Sequence, residues 1–258
     1  FIFDALVNGK LNTGGLEFQV MLEDVQTLNE WALQGRLDIS KISYGVLWQV
    51  LEEYITLPAG GALGKGVGPL LISAKAPDEA ADINSSRIAI PGINTTAHML
   101  FNQAFPQAGN REFMVFDQIE QAVLSGECEY GVIIHENRFT YASRGLYKHM
   151  DLGAYWETQT GLPIPLGGII MRRQFEPAVI RQVNRLIRSS LEYAFQHYPY
   201  LPPFVTENAQ EMEPDIMRQH IDLYVNKLSL DPSKEGRQAV IKMLENFGYQ
   251  SQQPIFAE

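Results

Sequence analysis

Two stretches of this chain follow one design, and the repetition limits the folds open to it. Leu33 to Asp38 and Leu124 to Glu129 each end an amphipathic helix on Leu-x-Gly, place an acidic residue three positions past the glycine, and run on into a strand. Glycine at such a stop takes the left-handed conformation that closes a helix without a Cβ penalty. A helix closed in this way and followed at once by a strand is half of an α/β unit, so the pair predicts two α/β halves rather than an all-helical or all-strand chain. The strands deliver polar loops, Ser43-Tyr44 in the first half and His135-Glu136 in the second.

In chain order, Phe1 to Leu11 reads as helix and Leu16 to Leu22 alternates as a strand. Asp24 caps a helix whose buried side is Val25, Leu28, Trp31, Ala32 and Leu33, with Leu37 to Ile42 as its strand and a further helix over Tyr44 to Tyr54. Five glycines between Gly60 and Gly68 predict an extended loop or close backbone approach ahead of a strand from Pro69 to Ser73. They lack Walker spacing and precede a strand rather than a helix, which argues against nucleotide binding.

Composition turns polar from Ala76 to Ser86, the expected crossing into a second domain. There Arg87 to Ile90 and Gly131 to Ile134 read as strands, and Thr95 to Phe105 and Asp117 to Ser125 as helices. Gly161 to Arg173 returns as a strand whose two prolines mark it as a stiff connector rather than a central strand. Pro177 opens a long amphipathic helix, and helices over Pro214 to Asn226 and Ser233 to Phe247 close the chain against the first domain. The expected architecture is α/β with two domains and a cleft between them, in the manner of a type 2 periplasmic-binding-protein-like fold. Residues 1–75 and 169–258 form a discontinuous first domain and 76–168 the second. Ligands of such folds sit at facing strand ends and helix N-termini, which predicts a small molecule and says nothing of its identity.

A net charge of −10 over 258 residues argues against a nucleic-acid surface, which needs clustered cations, but leaves room for a small anionic ligand. No apolar run is long enough to span a membrane. The single cysteine, Cys128, fits a reducing cytoplasm, although many exported proteins also lack disulfides. Oligomeric state is not readable. His98, His149, His197 and His220 show no metal spacing with another His or Cys, and no Gly-x-Ser-x-Gly elbow supports a hydrolase.

His135 has the strongest claim to chemistry. It stands where the buried strand Gly131 to Ile134 meets its polar loop, and an imidazole near its ordinary pKa is a usable base at neutral pH. Asn94, Thr95 and Thr96 open a helix; they are caps by default, while Thr96 and the Ala97 amide also suit a carboxylate. Lys41, Ile42 and Ser43 occupy the opposing position, with Lys41 either a ligand contact or a solvated charge.

GGALGKGVGPLL, IIHENRFTY, the run from Asp151 to Gly168 and LYVNKLSLD from Leu223 to Asp231 resemble the 1,4-dihydroxy-6-naphthoate synthases of the futalosine route to menaquinone, over nearly the whole chain. The resemblance implies a carbon-carbon lyase that converts cyclic dehypoxanthine futalosine to 1,4-dihydroxy-6-naphthoate and dihydroxyacetone without metal or organic cofactor. It implies His135 as catalytic base and Lys41, Ile42, Ser43, Thr96 and Ala97 as substrate contacts, with Thr95 beside them. Gly60, Gly61, Gly167 and Gly168 would allow close backbone approach as the cleft closes. The family's N-terminal strand and C-P-N-D-T loop, which lead into the helix that begins here with Phe1, are absent from this sequence. The competing expectation is a solute-binding receptor for an aromatic or dicarboxylic acid.

Overall fold

The computed structural model describes residues 1–209, 213–249 and 253–258. The first lobe opens with α1 (Asp4–Val7), α2 (Val25–Leu33) and β1 (Ile39–Ser43). A 3-10 turn over Tyr44–Val46 leads to α3 (Leu47–Val50) and β2 (Tyr54–Gly64). The second lobe runs β3 (Leu70–Ser73), β4 (Ile88–Ile90), α4 (Thr96–Ala104), β5 (Arg111–Phe113), α5 (Ile119–Leu124), β6 (Tyr130–Ile133), α6 (Asn137–Thr140), β7 (Tyr147–Asp151) and α7 (Leu152–Thr160). The chain returns through β8 (Ile164–Arg172) to α8 (Pro177–His197), α9 (Pro203–Glu207), α10 (Pro214–Tyr224), α11 (Lys227–Leu230) and α12 (Ser233–Asn246).

Among the described residues the strands form two sheets, ordered β1-β8-β2 and β5-β4-β6-β3-β7. The repeated unit is present in both: α2 closes on Gly35 (φ 62°) into β1, and α5 closes on Gly126 (φ 78°) into β6. β3 belongs to the second sheet, so the chain crosses between Gly64 and Leu70 rather than at Ala76. It is back in the first sheet by Ile164, ahead of the expected boundary at Ile169.

Four local expectations give way to packing. β8 is the central strand of the first sheet, antiparallel to both neighbours. Pro163 precedes it, and Pro165 stands opposite Leu63 at the irregular end of the β2 ladder, where a missing N–H removes no regular bond. The Gly60-Gly61 segment lies inside β2 rather than in a loop: Gly60 (φ 91°) makes a bulge that shifts the register from Leu57↔Ile169 to Ala62↔Gly167. Leu16 to Leu22 forms no strand, because alternation alone gives the backbone no ladder partner; Val20, Met21 and Leu22 stay exposed. The segments read as helix over Phe1 to Leu11 and Tyr44 to Tyr54 are helical only at Asp4–Val7 and as the short turn and α3.

One face of the first sheet packs on α8 through Leu57, Ala59, Ile169, Val183, Ile187 and Leu191. The other joins a core that continues between the lobes, from Val240 and Met243 of α12 through Tyr44 and Leu47 to Phe101 of α4 and Trp156 of α7. The Trp156 indole N–H donates to Pro163 O at 3.1 Å, so burying this ring leaves no orphan donor and fixes the start of β8.

α7 begins against the loop between the sheets with backbone on backbone. A Cβ on Gly153 would lie 2.6 Å from Gly68 Cα. Gly153→Ala is therefore expected to destabilise the protein by about 1–3 kcal/mol, the usual cost of forcing extra carbon into packed structure, measured by urea denaturation.

Candidate active site

β6 delivers its C-terminal end to the cleft, and His135 follows in the left-handed region with φ 56°. A residue with a Cβ holds that conformation only where its surroundings impose it. Here they do. Tyr224 Oη of α10 donates to His135 O at 3.4 Å, and the Arg138 amide donates to the same carbonyl at 3.3 Å. The Arg138 guanidinium donates to Gly68 O and to Asp151 Oδ2, each at 2.6 Å. Asp151 Oδ1 meanwhile accepts the Gly153 and Ala154 amides at 2.9 and 3.1 Å, capping α7. Arg138 thus ties the His135 turn to the interlobe loop and to α7; it does not orient the imidazole.

The His135 ring meets the edge of Phe116 at 5.2 Å between centroids and faces His220 of α10 at 6.0 Å. Among the described residues neither ring has a hydrogen-bond partner. Burial, reinforced by the Lys41 ammonium, pushes His135 down to about 4. Burial, then His135 and Lys41, pushes His220 down to about 3. Both imidazoles are neutral at pH 7, free to accept a proton on one nitrogen and donate from the other.

Lys41 projects from β1, opposite Ile169. Its side chain keeps accessible surface while protein surrounds it, as on the floor of a cleft, and the lost hydration lowers its pKa. Among the described residues no carboxylate pairs with it. A desolvated ammonium without a counter-ion is a strong anion site.

The remaining candidates serve the frame to a greater degree than the sequence implies. Ser43 donates its amide to Asn29 Oδ1 at 2.9 Å, and its hydroxyl accepts from Asn29 Nδ2 at 3.2 Å. The same Asn29, fully buried on α2, donates to Asn94 O at 2.8 Å, joining the lobes. Ile42 is a core residue. Thr95 is the cap of α4, accepting the His98 amide at 3.1 Å. Thr96 Oγ1 accepts the Gly45 amide at 3.1 Å and donates to Leu166 O at 2.8 Å. That leaves the first amides of α4, Thr96 and Ala97, as the donors of this helix start. Gly45 has to be glycine, since a Cβ would come within 2.8 Å of the Thr95 carbonyl and the Thr96 amide. Space beside Gly60, Gly61, Gly167 and Gly168 is filled by Ile169, Leu63, the Ile42 carbonyl and the Tyr44 ring respectively.

Sequence reasoning missed Asn29, Phe116, Tyr224 and the weight of His220. The last two stand one helical turn apart on α10, the only local signal of a shared face. Among the described residues no group of three or more His, Cys, Asp or Glu could hold a metal ion, and no helix is long and apolar enough to cross a membrane.

Two lobes with discontinuous first-lobe sequence and an interlobe site define a periplasmic-binding-protein-like fold of the type 2 plan. Solved structures agree: the fold resembles the ligand-binding component of an ABC-type import system from Staphylococcus aureus (TM-score 0.62, 12% identity, 93% of this chain and 84% of that one). It is more similar to protein AF1704 from Archaeoglobus fulgidus (TM-score 0.88, 30% identity, 96% and 92%). Residues 1–248 match the menaquinone biosynthesis family, to which this chain belongs. Among its relatives, a 1,4-dihydroxy-6-naphtoate synthase of Thermus thermophilus is 43% identical, covering 94% of this chain and 88% of the relative. One from Streptomyces coelicolor is 39% identical over 95% and 87%.

The cause of the His135 shift is separable by substitution. Lys41→Met removes the cation and leaves the burial, so the His135 midpoint is expected to rise above 4 while staying below the ordinary 6.5; the pH titration of its ring proton signals by NMR measures this.

Proposed function

We propose that the protein is a carbon-carbon lyase of menaquinone biosynthesis that converts cyclic dehypoxanthine futalosine to 1,4-dihydroxy-6-naphthoate and dihydroxyacetone. Membership of the menaquinone family supports the pathway, and the names of two relatives support the product. The observation that carries the chemistry is a neutral His135 on a constrained turn, within the field of the Lys41 ammonium.

In this reading the substrate carboxylate meets Lys41 or the amides of Thr96 and Ala97. The sugar ring opens to its hydroxy-aldehyde, and His135 moves the proton from the carbon beside the aldehyde to the aldehyde carbon while the neighbouring hydroxyl proton passes to the aldehyde oxygen, which makes the ketone of the triose portion; the hydroxyl freed on the carbon that becomes a ring ketone then gives up its proton. The bond from that carbon to the sugar-derived fragment then breaks, and its electron pair passes into the enolate of the departing triose ketone. The same proton returns to the triose carbon, and enolisation of the new diketone gives the dihydroxy aromatic ring. No electrons are gained or lost overall, so these steps need no redox cofactor. Aromatisation supplies the driving force, and a base of depressed pKa remains unprotonated at working pH.

His135→Ala is expected to keep affinity for the naphthoate product within a few-fold while lowering kcat by about 100-fold or more; mass detection of both products after incubation with the cyclic substrate is the test, and undiminished turnover would refute the role. Protonation disables the base. The acid limb of kcat/KM, which reports the free protein, is therefore expected near pH 4 rather than 6.5, with activity flat from neutrality down to about pH 5.

A further inference from the structure

The five histidines divide into two groups by what their ring nitrogens touch. His98 Nδ1 bonds to Ile93 O at 2.7 Å and its Nε2 lies 3.1 Å from the Asn102 amide. His149 Nε2 lies 2.9 Å from Ser73 Oγ and 3.1 Å from Lys75 O, and His197 Nδ1 bonds to Tyr193 O at 2.7 Å. These three are satisfied by their own lobes. His135 and His220 alone have no such partner among the described residues, and they face one another.

His220 is held in that position from its own helix. Its ring packs at 4.6 Å on Tyr224, one turn further along α10, and Tyr224 in turn reaches the His135 carbonyl. α10 belongs to the returning chain and His135 to the second lobe, so the pair spans the cleft. At 6.0 Å between ring centroids, one substrate oxygen can lie within hydrogen-bonding reach of both rings, since such bonds span about 2.7–3.2 Å.

Resting on the lyase reading above, we propose that His220 is a second catalytic residue, a neutral imidazole whose N–H donates to the triose carbonyl oxygen as that oxygen becomes an enolate. The reaction requires such a donor. While His135 handles the migrating proton, negative charge builds on an oxygen of the departing triose, and a fixed N–H aimed there stabilises the charge without moving a second proton. The Lys41 ammonium also acts on both rings, but the substrate carboxylate is its natural counter-ion. An uncharged imidazole suits the task, because a ring held well below its ordinary pKa keeps one N–H and remains a hydrogen-bond donor at neutral pH.

The test compares His220→Phe, which keeps an aromatic ring and removes the N–H, with His220→Gln, which supplies an amide donor. With cyclic dehypoxanthine futalosine as substrate, His220→Phe is expected to lose about 100- to 1,000-fold in kcat. Its affinity for 1,4-dihydroxy-6-naphthoate, read by fluorescence quenching, should stay within threefold, and His220→Gln should recover at least tenfold over His220→Phe. Should the Phe variant fail to fold, His220→Leu carries the same comparison. A kcat within threefold of the parent, a parallel loss of product affinity, or no recovery by Gln overturns the assignment while leaving the lyase reading intact. Absence of turnover by the unmodified protein overturns both.

Discussion

The bridge made by Arg138 is the interaction on which the cleft depends. One guanidinium holds a backbone carbonyl at Gly68 and a carboxylate at Asp151, and that carboxylate also caps α7. A bidentate planar donor is suited to such a junction because it fixes direction as well as distance, which a lysine would not. Two segments far apart in sequence, the Gly68 loop and the Asp151 start of α7, are thereby locked to the turn that follows β6. The left-handed backbone of His135 is affordable only in that company. Gly68 and Gly153 complete the arrangement by letting two backbones touch.

The electrostatics follow from the same crowding. Protein atoms crowd Lys41, His135 and His220, and desolvation is the first cause of the shift at each of them. Such a site disfavours every positive charge it holds, so it stores a demand for an anion that a ligand carboxylate can meet. Binding and chemistry are then linked: the group that neutralises Lys41 also removes part of the field that depresses the imidazoles.

Much of this was legible in the chain itself. The repeated Leu-x-Gly unit marked both β1 and β6, because a helix stop and a strand are local events governed by glycine and periodicity. His135 was visible for the same reason, as the first polar residue after a buried apolar run. The central position of β8 was hidden, since its prolines obey the edge-strand rule everywhere except at an irregular strand end. The glycines of β2 looked like a loop because a bulge is defined by the partner strand. His220 carried almost no local signal: its meaning comes from α10 folding back across the cleft to a residue in the other lobe. Ser43 and Thr96 spend much of their hydrogen-bonding capacity on Asn29, Gly45 and Leu166, which only tertiary structure reveals.

The contact at Gly45 has one more implication. With no room for even a methyl group between the two facing helix starts, and with Thr96 bonded both across to Gly45 and down to Leu166 in the connecting strand, this corner is the natural fulcrum of any swing between the lobes. A swing about it separates His135 from Lys41 and lets water back to both.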